Sequence, residues 1–156
     1  MIKQTVMTLA LALAFGAPAL AANEAHDHGH AAGEAKLMLN HGQKWQTDAP
    51  LRQGMENMRA AIAGELKTIH ADKASAAQYE ALAARLEGEV AYVVQNCKLD
   101  PEADAQLHLV IAEVLGGAAA MQGKEQGMTR RAGAVRVVKA LNEYGRYFEH
   151  PGWRSL

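Results

Sequence analysis

From residue 49 onward, apolar side chains recur in steps of three and four, the spacing that lines one face of an α-helix. Four such seams are legible. The first predicts a helix over 49–70, capped by Thr47 or Asp48, with Leu51, Met55, Met58, Ile62, Leu66 and Ile69 inward. The second predicts 75–96 on Tyr79, Leu82, Leu86, Val90 and Val93, with Cys97 continuing the rhythm. The third, over 101–122, carries Leu107, Ile111, Val114, Ala118 and Met121, with Asp104, His108 and Leu115 beside the stripe. The fourth, over 129–148, carries Ala134, Val137, Val138, Leu141, Tyr144, Gly145 and Phe148. Strand-like alternation is absent from the sequence.

The breaks between the seams set the topology. Asp100 is a good N-cap residue, and Pro101 suits the first helical position, where its missing N–H costs nothing. The second helix therefore stops near Cys97 and the third starts at Pro101. Residues 123–127 hold two glycines and read as a turn, whereas 71–74 connect the first two helices with neither glycine nor proline. Short connections make neighbouring helices antiparallel. The predicted fold class is all-α, an up-down-up-down antiparallel four-helix bundle over 47–156. The glycines inside the helices point to close helix packing, with Gly116-Gly117 a candidate kink.

Ahead of the bundle the pattern changes. Met1-Ile2-Lys3 is followed by an apolar run and by Ala19-Leu20-Ala21, which reads as a secretory signal peptide over 1–21, cleaved after Ala21 or Ala22. The apolar run is too short to span a bilayer, so no membrane anchor is expected after cleavage. Residues 22–46 read as a flexible, His-containing segment. In it His26, His28 and His30 form a weak auxiliary site for divalent metal, 34–41 a short helix, and Trp45 a packing anchor in a loop over 42–48.

Composition adds exclusions. A formal net charge of −1 gives no footprint for nucleic acid, and 5% aromatic residues suit packed helices better than sandwiched strands. The sequence holds no nucleophile motif, no C-x-x-C, no H-E-x-x-H and no phosphate-cradling glycine loop, so it does not read as an enzyme. A single cysteine cannot close an internal disulfide. In an exported chain it calls for intermolecular pairing, inert burial or metal ligation.

In the predicted topology Cys97 lies at the end of the bundle where the first helix starts and the fourth finishes. Met55 is about 9 Å and His108 about 10 Å from that end at 1.5 Å rise per residue, with side chains tilted toward it. His150 follows the fourth helix and precedes Pro151, which keeps it extended and able to fold over the same end. A thiolate, imidazoles and a thioether form a soft set that suits copper. The expected metal ligands are Cys97, His108, His150 and, more weakly, Met55, with Met58 one turn deeper. Tyr144 or Asp104 would orient the histidines. The expected function is copper handling or electron transfer, with a metal ion and a redox or copper-transfer protein as partners. A structural or interaction protein with an inert top end is the reading from a different class.

The exported bundle with Met55 (or Met58) near the start of its first helix and His150 after its last resembles the cytochrome b562 and cytochrome c′ superfamily. That resemblance implies an alternative cofactor, haem b, with Met55 and His108 or His150 as axial ligands, in an electron carrier. No C-x-x-C-H is present, and Cys97 and His108 are additions to the b562 pattern. The segments Asn96-Cys97-Lys98-Leu99, Ala103-Asp104-Ala105-Gln106-Leu107-His108 and Phe148-Glu149-His150-Pro151-Gly152-Trp153 are similar to a group of uncharacterised exported proteobacterial proteins. This second resemblance implies a periplasmic location and no particular activity.

Overall fold

The structure, a computed structural model, describes residues 36–156; the expected signal peptide and the His26, His28 and His30 tract lie outside the described residues. Four helices follow in order: α1 (Ala49–His70), α2 (Ala76–Asn96), α3 (Pro101–Met121) and α4 (Arg130–Tyr147), each end within one residue of its expected place. Among the described residues there is no sheet, only isolated bridges of Asn40 with Gln43 and of Trp45 with Phe148. Each helix packs on the next and α4 returns to α1, closing the up-down-up-down bundle. No described helix is long and apolar enough to cross a membrane.

Side-chain caps start three of the helices. Asp48, not Thr47, caps α1, its Oδ1 accepting the Leu51 N–H at 2.8 Å. Ser75 and Gln78 form a reciprocal capping box ahead of α2, and Thr129 accepts the Ala132 N–H ahead of α4. Asp100 departs from expectation. It occupies the N-cap position of α3, but its side chain makes no capping bond and stays in solvent, while Pro101 removes one of the donors it would have served.

The glycine-free connection after α1 works through Asp72, whose φ of 54° is left-handed. The Lys73 N–H reaches Thr68 O at 3.0 Å and the Asp72 N–H reaches Ile69 O at 3.1 Å, the paired bonds of a Schellman ending. Gly123 (φ 78°) plays the same part after α3.

The core draws on all four seams, with Met55, Met58, Ile62, Leu86, Val114, Val137, Leu141, Tyr144 and Phe148 fully enclosed. Three expected positions differ. Leu66, Val138 and Gly145, expected inward, are only partly buried, on the side of the bundle where the α4–α1 seam is the loosest in the ring. The α3–α4 seam is the tightest. A Cβ on Gly133 would lie 2.6 Å from the Gly117 carbonyl oxygen, so the two backbones touch where neither has a side chain. The Gly116-Gly117 pair thus serves packing, and α3 runs on through it.

The short helix expected over 34–41 is not formed in its described part. Asn40 and Gln43 exchange backbone hydrogen bonds across a tight turn in which His41 and Gly42 both take positive φ, which no helix continues through. Trp45 is the anchor expected: its backbone bonds Tyr147 O and the Glu149 N–H, each at 2.8 Å, and its Nε1 donates to Met38 O at 2.7 Å. Residues 36–46, grouped by sequence with the flexible segment, are thereby held on the bundle end. After α4 the chain turns back along the bundle. Trp153 seats against Gly145, and Leu156 exchanges backbone hydrogen bonds with the Asn142 amide.

Candidate functional site

The corner between α2 and α3 is fixed by one carboxylate. Cys97 is the C-cap of α2, its N–H still bonded to Val93 O at 2.8 Å, and the chain then leaves the helix extended. The next N–H, of Lys98, donates to Asp48 Oδ2 at 2.7 Å. Asp48 therefore caps α1 with one oxygen and holds the distant corner with the other.

Below the corner, Cys97, Asp104 and His108 line one cleft of about 210 Å³, with Val94, Leu107 and Ile111 as apolar walls. Asp104 and His108 are one helical turn apart. The His108 Nδ1 lies 2.9 Å from the Asp104 carbonyl oxygen and 3.3 Å from its carboxylate. A carbonyl only accepts, so Nδ1 is the donor, and in the neutral ring Nε2 is the nitrogen with the lone pair. The His108 side chain is 63% exposed, which leaves that lone pair open to an incoming ligand.

The Cys97 thiol is pushed up to about 12, first by burial, then by the negative charge and hydrogen bonding of Asp48, and further by the charge of Asp104. At neutral pH it is a protonated thiol. A bound cation would replace that proton, and the same two carboxylates that disfavour the thiolate favour the cation.

The remaining expected ligands sit elsewhere. Met55 is fully enclosed in the core, as is Met58. His150 folds back from α4 as expected, but toward α1. Its Nδ1 lies 3.1 Å from the Tyr144 hydroxyl, and its ring stacks tilted on Trp153 at 5.0 Å. Burial holds His150 below the usual histidine range, opposed by the Glu56 carboxylate and aided by Arg52 and Arg59. Of the two orienting partners offered from sequence, Asp104 bonds His108 and Tyr144 bonds His150, at two different places.

Among the described residues, no three His, Cys, Asp or Glu side chains are grouped to hold a metal ion. The cleft accordingly offers two soft donors, Cys97 and His108, rather than the four-ligand set expected. The haem alternative gains no support here: Met55 is closed in the core and one His150 nitrogen is engaged by Tyr144. Sequence reasoning named Asp48 only as a candidate cap; its place beside the thiol depends on a contact fifty residues away along the chain.

No family profile, no curated protein and no solved structure matches this chain. Of the resemblances expected from the sequence, the structure carries the coarse architecture, a four-helix all-α bundle.

Proposed function

We propose that this protein is a periplasmic copper-handling bundle that seats a single cuprous ion between Cys97 and His108. The observation that carries this reading is the shared cleft, which Cys97 and His108 line together with Asp104, the residue His108 Nδ1 bonds. Thiolate is the soft donor that selects cuprous copper, imidazole is a further ligand copper accepts, and the acidic surroundings stabilise a cation once the thiol proton leaves. Export is supported by the signal-like residues 1–21. The half-open cleft at a helix corner suits exchange with a transfer partner. Met55 and His150 take no part in this version of the site.

The test is titration of the reduced protein with cuprous ion against a competing chelator, with circular dichroism as the folding control. Cys97→Ser is expected to lower affinity by more than about tenfold and His108→Ala to weaken it less. Because the thiol sits near 12, binding at neutral pH releases one proton per ion, which a pH-stat reads directly. Equal affinity in the wild type and Cys97→Ser would sink the reading.

A further inference from the structure

The α4–α1 seam is covered along only part of its length. Toward the Cys97 end, Trp153 lies against Gly145 and Leu156 is clamped by Asn142. One turn further along α4 that cover ends and a cleft of about 260 Å³ begins, walled by Leu66, Ile69, Val135 and Val138. Its lining is completed by Ala134, His70 and Lys139. Among the described residues Lys139 has no carboxylate partner, whereas the neighbouring cations Arg130 and Arg136 are neutralised by Glu80 and Glu113; His70 adds a ring nitrogen that can donate a hydrogen bond. Arg131 adds a further positive charge where its Nε reaches the Ile69 carbonyl at the end of the seam.

The geometry points to a binding site for a free single-chain anionic amphiphile of the fatty-acid class, its hydrocarbon in the apolar cleft and its carboxylate on Lys139 and His70. The walls are hydrocarbon, which selects an apolar chain. The positive charges of Lys139 and Arg131 select a negative head, since electrostatic complementarity sets which partner a surface accepts. The cleft takes a hydrocarbon chain of medium length and is too small to seat a helix. A stable protein partner would also need a far larger face than this one. This site lies on the opposite side of the bundle's seams from the Cys97–His108 cleft and does not depend on the copper reading.

The experiment is calorimetric titration of the full chain with dodecanoate below its micelle concentration, alongside dodecyltrimethylammonium and phosphatidylglycerol vesicles. Dodecanoate is expected to bind saturably at one per chain, and the cationic amphiphile not to bind. Lys139→Glu should weaken binding about fivefold, the upper range for one exposed charge pair. Val135→Asp should abolish it. Val135 is 41% exposed, so the fold should tolerate the change, and circular dichroism checks this. The proposal is overturned by absent dodecanoate binding, equal binding of the cationic amphiphile, undiminished binding by Val135→Asp, or binding to vesicles alone. Self-association that Val135→Asp disrupts, without dodecanoate binding, would instead make this face an interface between copies and also overturn it.

Discussion

At the end where α1 starts, two non-helical segments, one bidentate carboxylate and a cluster of aromatic rings close the bundle; at the other end, two short turns join the helices. The first end is held by bonds between residues far apart in sequence: Asp48 to Lys98, and Trp45 to Tyr147 and Glu149. The second turns its chain with backbone bonds within six residues, the Schellman endings at Asp72 and Gly123, and the long-range bonds there of Arg131 to the Ile69 carbonyl and of Arg130 to Glu80 come from side chains of α4 rather than from the connecting segments. The difference separates two tasks. Local turns set the connectivity of the helices, and polar side chains that span the chain shape a surface with chemistry on it. The candidate site accordingly sits at the first end, beside the carboxylate that organises it.

The strongest way to break this contrast is Asp48→Ala. It removes the α1 cap and the acceptor for the Lys98 N–H together, and should cost about 2 kcal/mol in chemical denaturation. The same change should lower the Cys97 thiol from about 12, seen as faster alkylation at a fixed mildly alkaline pH. A loss no greater than that of an ordinary exposed substitution would show that the carboxylate is not the organising group.

A second effect sharpens the contrast by pH. His150 is held below its ordinary 6.5 by burial, so the folded state favours the neutral ring. Its contribution to stability is fully present above about 6.5 and is lost as pH falls through the lower folded value, because the unfolded chain then binds the extra proton. Melting temperatures should therefore fall between 6.5 and the carboxylate range, and His150→Gln should flatten that slope. An unchanged slope in the variant would place the titrating group elsewhere.

The smallest effect belongs to the simple end. Asp72→Gly relieves a left-handed residue that carries a Cβ, and should stabilise the bundle by about 0.5 kcal/mol without touching thiol reactivity. A destabilisation would mean that the Asp72 side chain contributes more than its backbone strain removes.

The helices were legible because a step of three and four needs only local sequence, and the breaks at Asp100-Pro101 and residues 123–127 carry their own signals. Asp72 was not legible as a helix end, since its left-handed turn is made without glycine. The site was half legible. Counting rise along each helix correctly put Met55, Cys97, His108 and His150 near one end, but height does not fix the direction around the axis. Met55 lies on the enclosed face of α1, His108 on the exposed side of α3 beside Cys97, and His150 over the side where α4 meets α1. A shared level became two separate sites, one bordered by Asp104 and the other by Tyr144.

The bridge between Trp45 and the residues after α4 has a further consequence for how the molecule opens. Its two backbone bonds join positions about a hundred residues apart, so neither segment can lift away while the other keeps its partner. The entry to α1 and the exit from α4 then behave as one unit in local unfolding, although they are the places where helical chains ordinarily fray independently. The amide protons of Trp45 and Glu149 would exchange with solvent at a common rate, and a protease that reaches one segment would find the other exposed in the same event.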